Sequence, residues 1–129
     1  MSEASYPEDL LYHPEHDWAR VEGEQATLGV TWYAQDALGE VVFFEPPALG
    51  TALVKDAPYA EVESVKAVSD IVAPLSGEIV EVNESLSDNP ATINEDPYGE
   101  GWMVKVRLSD PSETEGLLDA AAYRATLAG

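Results

Sequence analysis

Between Trp18 and Leu108 the chain is cut into short β-type runs: WARV (18–21), ATLGV (26–30), VVFF (41–44), YAEV (59–62), VSDIV (68–72), GEIVEV (77–82) and WMVKVRL (102–108). Gly23, Pro46–Pro47, Gly50, Pro58, Pro74, Gly77, Asn89–Pro90, Pro97 and Gly99 separate them. Runs this short cannot bury a face as helices, and turn residues at this spacing predict an all-β sandwich or barrel. Two segments depart from the pattern. TWYAQDALG offers Thr31 as an N-cap and Gly39 as a C-cap for a short internal helix. In PSETEGLLDAAAYRATLAG, Leu117, Leu118, Ala121, Ala122 and Ala125 recur at helical spacing, which predicts a C-terminal helix over about 112–127 lying on the sheets. With 129 residues, 45% of them hydrophobic, we expect one domain over 1–129.

Charge narrows the partners. Six Lys+Arg against 25 Asp+Glu give a formal charge of −19, a field that repels nucleic-acid phosphates and anionic lipid and favours partners with basic docking faces. The acids are spread among Val, Ile, Leu and Trp, which marks a solvated surface rather than a disordered tail. No run approaches the roughly 18 apolar residues of a membrane span, and the opening stretch shows no secretory signal, so a soluble chain is expected. The chain has no cysteine, so any sulfur chemistry must come from an attached group.

The stretch EVESVKAVSDIV has a centre of symmetry between Val65 and Lys66. Folding there pairs Ser64 with Ala67, Glu63 with Val68, Val62 with Ser69 and Glu61 with Asp70, which predicts a two-residue hairpin within about 59–72 and places Lys66 at its tip. Val-Lys lacks the Gly, Asn or Asp that such turns usually require. A tip built against turn propensity points to side chains chosen for another purpose. A lysine that a modifying enzyme must reach needs a rigid tip with small neighbours, and Ser64, Val65 and Ala67 provide them.

Other chemistries are weaker. HPEHDW gathers His13, Glu15, His16 and Asp17, which could hold a metal, but Pro14 prevents a helix that would align the two imidazoles and no further ligand is specified, so no metal site is expected. The pairs Glu61/Glu63 and Glu78/Glu81 could serve acid–base hydrolysis, yet among 25 acids such pairs arise by chance. GxSxG, P-loop and GxGxxG motifs are absent.

ESVKAVSD followed by APLSGEIVEVN, with GVTWYAQDALGEVVFFEPPALG upstream and NEDPYGEGWMVKV downstream, resembles the H proteins of the glycine cleavage system. The likeness runs from about Tyr12 to Leu127. Related swinging-arm domains of acyltransferases carry Asp-Lys-Ala at the tip and biotinyl domains Met-Lys-Met, whereas this chain has Val65-Lys66-Ala67, as H proteins do. The resemblance implies a barrel-sandwich hybrid of two antiparallel sheets with minor helix. It also implies a carrier rather than an enzyme, with lipoic acid in amide linkage on Lys66.

Its implied partners are the glycine decarboxylase that loads an aminomethyl unit, the tetrahydrofolate-dependent aminomethyltransferase that removes it, the dihydrolipoamide dehydrogenase that reoxidises the arm, and a lipoate ligase or lipoyltransferase. The implied setting is a bacterial cytoplasm, or a mitochondrial matrix in a eukaryote. Glu63, Ser64, Val65 and Ala67 are expected to guide lipoylation, and Glu15, Asp17 and Asp70 to line a pocket for the loaded arm. Asp17 stands where Glu is commoner, and Ala37 where some relatives carry histidine. An alternative within the resemblance is a protein that stores lipoate and relays it to other complexes.

Overall fold

A computed structural model of the chain describes residues 5–128. The strands are β1 (Leu11–His13), β2 (Asp17–Glu22) and β3 (Gln25–Val30), then, after helix α1 (Trp32–Leu38), β4 (Val41–Phe44), β5 (Ala52–Leu53), β6 (Pro58–Ser64), β7 (Val68–Val72) and β8 (Gly77–Val82). Two single-turn helices, α2 (Ser85–Asp88) and α3 (Thr92–Glu95), precede β9 (Val104–Leu108), and helix α4 (Ala120–Ala128) follows. Strand order is β1-β2-β3-β9-β8-β5 in one antiparallel sheet and β4-β6-β7 in the other. This is the expected barrel-sandwich hybrid, mostly β with short helices.

The core lies between the sheets. Phe44, Val62 and Ile71 from the smaller sheet meet Leu28, Val30, Ile79, Val104 and Val106 from the larger one, with Leu86 and Ile93 filling in from α2 and α3 and Met103 from just before β9. Each such side chain, fully buried, contributes about 1.5–3 kcal/mol. Alternation along β6 and β7 places Val62 and Ile71 inward and leaves Glu61, Glu63, Val68 and Asp70 exposed. A second cluster of Leu10, Tyr12, Trp18, Ala120 and Tyr123 forms beneath α4, with the Tyr12 and Tyr123 rings stacked at 4.8 Å. Gly29 makes room for it, because a Cβ there would fall 2.6 Å from the Trp18 ring.

The C-terminal segment corrects one expectation. Instead of one helix over 112–127, Pro111–Gly116 forms a 3-10 turn, and α4 starts only at Ala120. Between them Leu118 pairs with Tyr12 like a strand residue: its N–H donates to the Tyr12 carbonyl at 2.8 Å, and the Tyr12 N–H donates to its carbonyl at 2.7 Å. Asp119 then caps the new helix by accepting from the Ala122 N–H at 2.8 Å. The helical spacing of Leu117 and Leu118 was overridden by an open backbone edge on β1. Strands β1 and β5 and helices α2 and α3 were not expected, and β9 begins at Val104, two residues inside the WMVKVRL run.

Candidate functional site

The hairpin register is the one the symmetry predicts: Glu61 opposes Asp70, Val62 Ser69 and Glu63 Val68. The Ser64 N–H donates to the Ala67 carbonyl at 2.8 Å. Neither Val65 nor Lys66 has positive φ. Ser64 does the work that Gly or Asn would otherwise do, because its Oγ accepts from the N–H groups of Lys66 and Ala67, both at 3.2 Å. The tip is also seated from below. Val65 donates its N–H to the Glu40 carbonyl at 3.0 Å, and Ser64 opposes Val41.

That seat is the end of α1. Thr31 caps its start by accepting from the Ala34 N–H at 3.2 Å, and Gly39 ends it at φ 76, as the sequence predicts. Asn94 on α3 clamps the exit, donating to the Gly39 carbonyl at 2.7 Å and accepting from the Val41 N–H at 2.8 Å. The Lys66 chain runs over Gly39, where a Cβ would lie 3.2 Å from Lys66 Cε. Lys66 is exposed, and among the described residues its ammonium has no carboxylate partner.

Beside Lys66 opens a cleft of about 240 Å³ between α1, the β6–β7 hairpin and the β1–β2 turn. Val30, Ala34, Ala37, Leu38, Val62 and Ile71 give it apolar walls, and Glu15, His16, Asp17, Tyr33, Ser69 and Asp70 its polar ones. Of the residues singled out in the sequence, Lys66, Ala67, Glu15, Asp17 and Asp70 line this space together. Glu63, Ser64 and Val65 do not. Glu63 stands on the outer face of the hairpin between Phe43 and Val68, and Val65 projects from the tip. With Ala37 in the lining, no imidazole reaches the cleft from that position.

Asp17 is the unusual member. It opens β2 between His13 and Val30, is 2% exposed, and its Oδ2 is buried with no hydrogen-bond partner among the described residues. Burial lifts its pKa well above the ordinary carboxylate range, and the charge of Glu15 lifts it further.

The two histidines of HPEHDW turn to different partners. His13 is buried. Its Nδ1 accepts the Glu15 N–H at 2.9 Å, so Nε2 carries the proton and donates to Asp56 Oδ1 at 2.6 Å. That bond is the main cause holding the Asp56 pKa below its usual value. His16 occupies the left-handed region at φ 77, its Nδ1 lies 2.8 Å from the Tyr123 hydroxyl, and its ring rests on Tyr33 with centroids 4.4 Å apart. Burial lowers its pKa, against the pull of Glu15. His16, Tyr33 and Ser69 were not recognised as cleft residues from sequence. For His16 a local signal existed, since a proline-led three-residue loop between strands places its third residue in the left-handed region.

Residues 10–129 match the family profile described as Glycine cleavage H-protein. The chain is 54% identical over 122 residues to the glycine cleavage system H protein of Symbiobacterium thermophilum, covering 95% of each chain. It is 50% identical over 121 residues to the protein of that name from Myxococcus xanthus, covering 94% of each. The crystal structure of a glycine cleavage system H protein from Mycobacterium marinum superposes with a TM-score of 0.85 at 37% identity, over 95% of this chain and 99% of that one.

Proposed function

The chain belongs to the glycine cleavage H-protein family, and on that premise we propose that it is a carrier whose Lys66 bears lipoic acid, taking an aminomethyl unit from glycine decarboxylase to the aminomethyltransferase and electrons to dihydrolipoamide dehydrogenase. The supporting observation is that Lys66, exposed on a rigid tip, lines the same cleft as a buried, unpartnered aspartic acid. When bound, the lipoyl group supplies a disulfide that takes up the aminomethyl unit and is itself reduced.

The residues present fit such an arm. Val30, Leu38, Val62 and Ile71 can cover its aliphatic length, and Asp17, Glu15 and Asp70 supply acids for a cationic end. Burial disfavours the charged form of Asp17, whereas an ammonium arriving beside it favours ionisation and the charge pair. That pairing offsets the desolvation of the ammonium, which alone costs several kcal/mol. The same walls keep water from the labile aminomethyl linkage. Outside the cleft Glu63, Ser64 and Val65, together with Ala67 at its rim, form the surface a lipoate ligase or lipoyltransferase reads: Ser64 stiffens the turn, Ala67 leaves room, and Glu63 offers a charge.

The test is to incubate the protein with lipoate, ATP and a lipoate ligase, map the product by mass spectrometry, and add it to a glycine decarboxylase. One adduct, at Lys66, and glycine decarboxylation that depends on it are expected. An adduct on another lysine, or equal support from the unmodified chain, would overturn the proposal.

A further inference from the structure

His16 is an expensive residue where it stands. It closes the three-residue turn between β1 and β2 at φ 77, a position that glycine fills without steric cost. Strain of this kind persists where the surroundings hold it, and it clusters at functional sites. The holding group here comes from the far end of the chain, since the Tyr123 hydroxyl on α4 lies 2.8 Å from His16 Nδ1 and 2.8 Å from Thr31 Oγ1.

The direction of this chain of bonds follows from counting hydrogens. Thr31 is fully buried, and its Oγ1 already accepts the Ala34 N–H as the cap of α1. Its own hydrogen has one oxygen within reach among the described residues, that of Tyr123. The Tyr123 hydrogen therefore points at His16 Nδ1, which must be a bare acceptor. In the opposite direction the Thr31 hydroxyl hydrogen would be buried without a partner, an arrangement proteins avoid. An imidazolium, with both nitrogens protonated, would aim its Nδ1 hydrogen at the Tyr123 oxygen and leave one of the two buried hydroxyl hydrogens without an acceptor among the described residues. The downward pull of burial on the His16 pKa agrees with a neutral ring, although Glu15 on the same turn opposes it.

We propose that Tyr123 is a positioning residue that holds His16 as a neutral imidazole with its proton on Nε2, so that the cleft presents an N–H donor to a sulfur of the lipoyl arm. This rests on the carrier function above. Nε2 has no partner among the described residues and is not sealed from solvent, and His16 lines the cleft. A donor there repels an ammonium and suits a thiol, thiolate or disulfide sulfur, whereas Asp17 suits the ammonium. The two ends of a loaded arm are thereby sorted, cation to Asp17 and sulfur to His16.

The experiment is nitrogen-15 NMR of the His16 ring at neutral pH. In the unmodified protein we expect a protonated Nε2 and a bare Nδ1. Tyr123→Phe keeps the stacked ring but removes the hydroxyl and should lose the preference, giving mixed tautomers, whereas Thr31→Ser keeps the cap and the hydroxyl and should retain it. A protonated Nδ1 in the native chain, or an unchanged tautomer in Tyr123→Phe, overturns the proposal. In the lipoylated, loaded protein the Nε2 resonance should move together with the Ile71 and Leu38 methyls. Movement of the methyls alone overturns the sulfur contact. If neither moves, the arm does not enter the cleft, and that result refutes the carrier-cleft reading while the tautomer result stands separately.

Discussion

Two tight turns meet at the cleft, and they are built on opposite principles. The β6–β7 turn is built mostly from local residues: its register, its serine-supported backbone and its lysine all lie within a dozen residues, its tip is exposed, and one outside bond, from the Val65 N–H to the Glu40 carbonyl, seats it. The β1–β2 turn depends on the rest of the molecule. His13 leans on Asp56, His16 on Tyr123, and Asp17 has a buried oxygen with no partner. A group that enzymes must reach needs exposure and a stiff local frame, which a short sequence can encode. A cleft that, on the function proposed above, receives a charged and fragile cargo needs polar groups taken out of water, and their cost is offset by distant contacts.

The contrast is testable by substitutions that should act on one turn and spare the other. The largest effect is expected for Lys66→Arg, which keeps the charge and removes the acylable amine. Lipoylation should vanish by intact mass while the thermal midpoint stays within a degree or so of native, since the tip makes no core contact.

Next comes Gly39→Ala, under the same hairpin. At φ 76 and ψ −158 a side chain is strained, and the new Cβ would press on Lys66 Cε. A loss of about 1–3 kcal/mol in denaturant unfolding is expected, together with slower lipoylation. Native stability in this variant would show that the seat is not rigid.

On the other turn, Asp17→Asn should alter stability in a pH-dependent way. The folded-state pKa of Asp17 is raised, so the folded chain binds this proton more tightly than the unfolded one. Stability is therefore lost as pH rises from the unfolded value of about 3.9 toward the folded pKa, and it is fully present below that window. The asparagine variant escapes the loss. It should melt higher at pH 8, with the difference closing near pH 4. A constant difference across that range would mean that Asp17 is not held as an acid.

The smallest effect belongs to Glu63→Ala, on the exposed outer face. Its lipoylation should slow by a few-fold, the scale of one solvent-screened charge contact, with no change in melting. A rate equal to that of the native chain would leave Glu63 as surface solvation only.

The same contrast explains what was legible in the sequence. The hairpin register, Lys66 and both caps of α1 were readable because each depends on residues a few positions apart. The contact of Tyr123 with His16 was not, because it spans 107 positions and is set by the packing of α4 on Tyr12. The start of α4 was misjudged because Leu118 satisfies a backbone edge more than a hundred residues away. Glu15, Asp17 and Asp70 were named as a group from family resemblance, and the cleft collects them, but the isolation of Asp17 from any partner has no signature in the string HDW.

The central claim is that the exposed turn delivers an arm which the buried turn receives through Asp17. The direct measurement is the lifetime of the aminomethyl-loaded, lipoylated protein, followed as formaldehyde release, in the native chain and in Asp17→Asn. Loss of one charge-assisted hydrogen bond, about 1.5–3 kcal/mol, should shorten that lifetime about tenfold or more. Equal lifetimes in the two proteins would contradict the account.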